Sequence, residues 1–274
     1  MRDRLGVIAG SGPFARQAVG LAREQGWEPV VAGIRGEAEE GLAAAAGAFE
    51  WVGLTEIEKL IEFFGRAGVR EVVFVGKVDP AVLARRDRSD AALAAFLETV
   101  RDATPTAVLE SLIGLLGSRG FSVRDPGFLL RPYFRPSGRL GRIEPSPSAS
   151  DDISFGWPLA LALADLEIGQ TVVVKGRAVV AAEGMDGTDE TIRRAGRIAG
   201  PGCAVLKRAR SRQDLRIDAP GVGIGTVRAC VESRAAVLCI EAGRVAFFQF
   251  DEAAALADAN RLALFAKEGA PAHG

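Results

Sequence analysis

The chain has 274 residues, and its 34 basic and 35 acidic side chains leave a formal net charge of -1, so no global field favours nucleic acid or an anionic surface. Hydrophobic residues at 48% and charged residues at 25% are the balance of an ordinary globular protein, long enough for two compact domains. The single histidine, His273, lies in the terminal Ala-Pro-Ala-His-Gly stretch, which removes Ser-His-Asp hydrolysis, helical His-Glu-x-x-His zinc sites and histidine-rich two-metal centres and leaves carboxylate, lysine and oxygen-ligand metal chemistry.

Residues 5–9 are an apolar run too short for a signal-peptide core, and they read as a first strand leading into a glycine turn. A helix over 14–25 and a strand over 29–34 follow. Residues 51–54 then lead into a helix capped by Thr55, in which Ile57, Leu60, Ile61 and Phe64 recur at helical spacing and Gly68 supplies the stop. A β-branched strand over 71–78, helices over 90–99 and 106–117 and a short strand over 121–124 complete the alternation. The fold class is therefore α/β: a Rossmann-like, doubly wound N-terminal domain with a parallel sheet, over residues 1–132.

Composition shifts to proline, glycine, serine and arginine over 133–150, which reads as a linker. A second, mixed α/β domain is expected over 151–270, with strands at 171–174 and 178–182, a helix at 190–198 and a strand at 203–207. A helix near 226–233, a hairpin of 236–241 and 244–250, a helix at 252–260 and a last short strand follow. Cys203, Cys230 and Cys239 have neither metal-ligand spacing nor an even count, which fits a reducing, cytoplasmic setting. No apolar run approaches the roughly 18 residues of a membrane span, so any membrane contact is expected to be peripheral.

Chemistry concentrates in four places. Gly10-x-Gly12-x-x-Ala15 follows a strand and opens a helix, where backbone N–H groups and the helix dipole can approach a phosphate. The acidic residue that a dinucleotide fingerprint wants at the end of the second strand is missing, since Arg35-Gly36 comes first and Glu37 only then. Lys77 stands at the carboxyl edge of the first sheet, either as a phosphate contact or as a solvated strand end. Glu183, Asp186, Asp189 and Glu190 place four carboxylates in eight positions beside Gly184 and Gly187, with Thr188 or Asp189 able to cap the helix; such a set suits Mg²⁺ or a cationic partner. Lys207 precedes Gln213-Asp214-Leu215-Arg216-Ile217-Asp218, whose Asp214, Arg216 and Asp218 share one face if the segment is extended, and a Pro220-x-x-Gly223-x-x-Thr226 turn then offers N–H donors at a helix start.

Taken together, Gly-Val-Ile-Ala-Gly-Ser-Gly at 6–12, Gly76-Lys77-Val78, Asp152-Ile153-x-x-Gly156, Asp165-x-x-Ile168-Gly169-Gln170, Glu183-x-x-x-Gly187-Thr188-Asp189 and Gln213-Asp214-x-Arg216-x-Asp218-x-Pro220 resemble the UDP-2,3-diacylglucosamine pyrophosphatase family of lipid A synthesis, the LpxI type. The resemblance spans nearly the whole chain. It departs from the family pattern at Glu167 and at Met185-Asp186, where an acid is kept in each case. It implies a homodimer and cleavage of a UDP-linked acylated glucosamine to UMP and the acylated sugar 1-phosphate, lipid X, with Mg²⁺ or Mn²⁺. A cytoplasmic protein acting on such a lipid is expected to have peripheral contact at the inner membrane.

On this reading Asp189, Asp214 and Asp218 hold the metal, Lys207 and Arg216 balance the remaining charge, and Asp214 or Asp218 orients the attacking water. Gly10, Gly12, Lys77, Gln170, Gly187, Thr188, Gln213 and Thr226 are the expected substrate contacts, and Tyr133 and Phe134 are candidates, by position, for an acyl groove. The competing classes are a non-catalytic nucleotide or lipid sensor and a nicotinamide-dependent oxidoreductase.

Overall fold

The computed structural model describes residues 3–53, 56–76, 105–216 and 219–269. The chain forms two compact units, one of Met1–Leu130 with Asp214–Asp218, the other of Arg131–Gln213 with Ala219–Gly274.

The first unit runs β1 (Arg4–Ala9), α1 (Pro13–Glu24), β2 (Glu28–Ile34), α2 (Leu42–Ala45), β3 (Ala48–Val52), α3 (Ile57–Arg66), β4 (Glu71–Val75), α4 (Pro105–Ser118), β5 (Ser122–Val123) and α5 (Gly127–Leu130). Among the described residues its five strands are all parallel, in the order β3-β2-β1-β4-β5. Val7 of β1 lies between Val31 of β2 and Val73 of β4, all three fully buried, because a parallel sheet is covered on both faces and its strands read as unbroken apolar runs. Pro13 starts α1 where its missing N–H costs nothing. Ile57, Leu60, Phe63 and Phe64 give α3 its buried face, with Phe64 edge-on to Phe121 at 6.2 Å. The expected helix at 90–99 and the Thr55 cap lie outside the described residues.

The second unit begins with a 3-10 turn (Arg131–Tyr133) and continues β6 (Gly138–Arg139), α6 (Pro147–Asp165), β7 (Thr171–Lys175), β8 (Ala178–Ala182), α7 (Gly187–Ala199), β9 (Ala204–Lys207), β10 (Gly221–Val222), α8 (Ile224–Glu232), β11 (Val237–Glu241), β12 (Ala246–Phe247), α9 (Phe250–Ala259) and β13 (Ala263–Lys267). Six strands make a mixed sheet in the order β6-β13-β11-β9-β7-β8, and β10 pairs with β12 separately. Alternation along the strands splits the core. Val172, Val174, Ala204, Leu206, Val237 and Cys239 pack under α6, while Val173, Val205, Leu238 and Ile240 pack under α7, α8 and α9.

Three expectations change here. The 133–150 stretch is part of the second unit rather than a bare linker: β6 pairs antiparallel with β13, and the Arg142 amide donates to Asp258 at 2.7 Å. Helix α6 is not foreseen by the sequence reading, because Pro158 in its interior is a helix breaker; Ser146 caps it and the buried face of Ile153, Trp157, Ala160 and Ala164 carries it through. The expected hairpin of 236–241 with 244–250 does not form. Both edges of β11 are taken by β9 and β13 in parallel, so after a turn at Gly243 the chain leaves the sheet and β12 joins β10 instead.

Asp152 shows what one of the motif residues does. Buried on α6, it accepts from the amides of Gly176 at 3.1 Å and Arg177 at 2.6 Å, the two residues at the tip of the β7–β8 hairpin, whose φ angles are +60° and +57°. Such a turn suits glycine but not arginine, and the carboxylate holds it.

Candidate functional site

In the first unit the glycine loop leaves β1 where the strand order reverses, the place at which open α/β sheets form their ligand crevice. The Gly10 amide donates to the Val75 carbonyl at 2.9 Å, and Gly12, at φ +97°, opens α1. Gly76, which ends β4, has φ +83°, and a Cβ there would lie 2.6 Å from the Ser11 carbonyl oxygen, so glycine is required for the two loops to approach. Lys77 lies outside the described residues. The residue after β2 is Arg35, whose guanidinium sits 3.8 Å from Glu56 and 3.5 Å from the Trp51 carbonyl, so the position where a dinucleotide fingerprint carries its ribose-binding acid holds a cation instead.

In the second unit the decisive feature is a buried charge cluster at the end of β9. The Lys207 ammonium, with its side chain 5% exposed, donates to the Thr188 hydroxyl at 2.8 Å and the Thr171 hydroxyl at 3.3 Å, and lies 3.6 Å from Glu183. Glu183, just after β8, accepts from the Thr188 hydroxyl at 2.8 Å and from the Gln170 amide at 3.1 Å. Burial raises the Glu183 pKa, but the Lys207 charge, the Thr171 and Thr188 hydroxyls and the Gln170 amide outweigh it together, so the carboxyl stays below its ordinary 4.5. Glu183 is therefore ionised at neutral pH.

The loop from Glu183 into α7 sorts its four acids. Asp186 is engaged by Arg194 at 2.8 Å and by the Thr191 hydroxyl at 3.2 Å, and Arg194 and the Gly184 amide hold its carboxyl below the usual range. Glu190 pairs with Arg197 at 2.7 Å, and Glu183 faces Lys207. Asp189 remains. Its Oδ1 accepts from the Thr226 hydroxyl at 2.9 Å, which ties the first turn of α7 to the first turn of α8. Gly187, at φ +75°, begins α7 and brings Thr188 over the Lys207 ammonium.

The segment expected to alternate as a strand is a turn. Asp214 accepts from the backbone amide of Arg216 at 2.9 Å and binds its guanidinium at 2.6 Å, an Asx-type closure that an extended chain could not make. The guanidinium in turn pulls the Asp214 carboxyl down. Both residues belong to the first unit, whereas Lys207, Thr188, Asp189, Thr226, Gln170, Gly187 and Gln213 belong to the second. The Gln213 side-chain carbonyl accepts from the Arg210 amide at 3.1 Å. Asp218 lies outside the described residues. Tyr133 stacks on Phe248 with centroids 4.7 Å apart and Phe134 bridges to Ala246, so both pack within the second unit.

The structure thus brings Lys207, Thr188 and the Gln170 backbone together around Glu183, and Thr226 onto Asp189. Sequence reasoning counted Glu183 among four acids suited to Mg²⁺ or a cationic partner without naming Lys207 as that partner, and gave Thr171 no role. The available signal was an acid at one strand end and a lysine at another, joined by no spacing rule. The cysteines are buried, and burial pushes the Cys239 thiol up to about 12 and Cys230 higher still, so neither is a nucleophile. Among the described residues no three His, Cys, Asp or Glu side chains form a metal cage, and no helix is long and apolar enough to cross a membrane.

Comparison with known proteins places these features. Residues 4–132 match the LpxI N-terminal domain and residues 136–265 match the LpxI C-terminal domain. The chain is 28% identical over 276 aligned positions to the UDP-2,3-diacylglucosamine pyrophosphatase LpxI of Caulobacter vibrioides, covering 96% of each protein. Among solved structures, CobK precorrin-6A reductase covers 98% of this chain and 89% of its own at 13% identity and a TM-score of 0.34. L-threonine dehydrogenase from Phytophthora infestans covers 53% of this chain and 40% of its own at 16% identity and a TM-score of 0.29. With both domain matches in order along the sequence and a relative aligned from end to end, the chain belongs to the LpxI family.

Proposed function

We propose that this protein hydrolyses the pyrophosphate of UDP-2,3-diacylglucosamine, releasing UMP and 2,3-diacylglucosamine 1-phosphate. The observation that carries the reading is the buried cluster around Lys207, whose amine meets the Thr188 and Thr171 hydroxyls beside Glu183. It draws on two of the segments that carry the family resemblance, the one ending at Gln170 and the one from Glu183 to Asp189, and it sits in a chain that aligns end to end with a named pyrophosphatase.

In the reaction a water oxygen bonds to one phosphorus, the bridging P–O bond breaks, and the leaving phosphate carries away the electron pair. Catalysis of this kind is mainly positioning and charge compensation. Lys207 offsets phosphoryl charge from a buried position, where an ammonium acts more strongly than in bulk water. The amides at the start of α7 and α8 add partial positive charge. Asp218 takes the proton of the attacking water. Asp214, whose oxygens face Arg216, acts as the counter-ion that orients that guanidinium.

Mg²⁺ keeps most of its waters and needs only one or two carboxylates besides substrate phosphates, and Asp189, with one oxygen fixed by Thr226, would hold it. Bound there, the ion would supply further neutralisation of the phosphoryl oxygens. The same reading includes a homodimer and peripheral contact with the inner membrane, checked by light scattering and by vesicle flotation.

The test is UMP release from UDP-2,3-diacylglucosamine by purified protein, with Mg²⁺ and with excess chelator. Metal-dependent release supports the reading, and saturable binding without release would replace it with a sensor.

A further inference from the structure

We propose that Glu183 is a positioning residue that acts through Lys207, fixing where the ammonium sits when it meets the phosphoryl charge; this rests on the role given to Lys207 above.

The hydrogen-bond directions carry the inference. A threonine hydroxyl has one hydrogen to give. That of Thr188 goes to Glu183 Oε1 at 2.8 Å, which turns an oxygen lone pair toward the Lys207 ammonium, also at 2.8 Å. The carboxylate itself stands 3.6 Å from the nitrogen, too far for a hydrogen bond but well within ion-pair range. Glu183 therefore sets Lys207 in two ways: directly through charge, and indirectly through the hydroxyl it orients.

The carboxylate is itself immobilised. The Gln170 amide donates to its Oε2 at 3.1 Å, and its side chain is only 12% exposed. Gly169 lies so close that a Cβ there would collide with the Glu183 backbone carbonyl oxygen and lie 2.8 Å from its Cβ. Lys207 in turn starts from a fixed backbone, since it pairs with Thr171 across β7 and with Ile240 across β11. A lysine stem has several rotatable bonds, and an ammonium that must meet a transition state gains from having them settled beforehand. For stability alone, a buried ion pair of this kind is commonly matched by an apolar pair of similar size.

A double-mutant cycle on turnover tests this, using full-length Glu183→Gln, Lys207→Met and the double variant, with thermal unfolding as the control for folding. The expected result is a kcat lowered 10- to 100-fold in E183Q with KM changed less than threefold, a larger loss in K207M, and a double variant no slower than K207M. If the two losses multiply, or if E183Q keeps its kcat, Glu183 does not act through Lys207 and the proposal falls while the hydrolase reading stands. If the wild-type protein releases no UMP, the hydrolase reading fails first and takes this proposal with it. Should E183Q not fold, Thr188→Val removes the oriented hydroxyl while leaving both charges. It should lower kcat at least 10-fold, with Thr188→Ser recovering most of the loss, and an unchanged kcat in T188V overturns the relay.

Discussion

Thr226 gives its hydroxyl hydrogen to Asp189 Oδ1 at 2.9 Å, so that one side chain of α8 fixes the orientation of a carboxylate on α7. Among the described residues Asp189 makes no close ion pair, although the charge of Arg193 reaches it, whereas Glu183, Asp186 and Glu190 face Lys207, Arg194 and Arg197. An oriented carboxylate with its second oxygen directed elsewhere is what a Mg²⁺ ligand requires. Replacing Thr226 by Val should weaken Mg²⁺ binding about 10- to 100-fold, the usual effect of losing a residue that orients a metal ligand, and Ser should restore it. Isothermal titration with Mg²⁺ measures this without turnover, and equal affinities in Val and wild type would remove Asp189 as a ligand.

Asp152 is expected to matter for folding and not for chemistry. Its carboxylate is held by two amides at the tip of the β7–β8 hairpin, and Asp152→Ala leaves both without that acceptor. Stability should fall by about 1–3 kcal/mol by denaturant titration. The surviving folded protein should keep wild-type kcat. A specific loss of kcat in folded protein would mean the family motif around Asp152 has a catalytic side after all.

Gly169→Ala should be severe for a residue so small. A methyl group there meets backbone, which cannot swing away as a side-chain end can. The expected cost is about 1–3 kcal/mol in stability, with reduced turnover because Glu183 is pushed. Thermal unfolding together with UMP release would show both, and an unaffected G169A variant would mean that the loop before β7 yields easily.

Acid should loosen the second unit through Glu183. Its carboxyl titrates below 4.5 in the folded protein and near the ordinary value when unfolded, so its contribution is complete above the ordinary value and lost as pH falls through the folded value. Wild type should therefore lose stability more steeply than E183Q below about pH 4.5, and the gap between them should narrow there. Urea titrations of both at neutral and acid pH check the sign; a gap that widens in acid would contradict it.

Much of the first unit was legible because a parallel sheet declares itself: β1, β2 and β4 are apolar runs, β1 and β4 ended by glycine, and α3 carries Ile57, Leu60 and Phe64 at helical spacing. The second unit was legible where strands alternate and obscure where burial overrides local preference. Pro158 reads as a break, yet α6 continues because its buried face meets the sheet, and residues 244–250 look like the return arm of a hairpin although β11 is already flanked on both sides. The site divided in the same way. Lys207, Thr188 and Asp189 stood out by residue type and by motif, but the partnership of Glu183 with Lys207 joins two strand ends 24 residues apart, and no periodicity reports a contact made only by the sheet.

Lys207 and the next residue, Arg208, carry buried positive charge to opposite sides of one sheet. Lys207 meets Glu183 on the side of α7, while Arg208 meets Glu241 at 3.1 Å and stacks 4.6 Å from the ring of Trp157 on α6. Each cation has its own carboxylate in its own layer. A slip of β9 by a single position would exchange the two layers and strand four charges at once, a mismatch far costlier than exposing one apolar side chain. The adjacent pair therefore works as an error check on assembly, admitting only the alignment that also brings the lysine to its place beside Thr188.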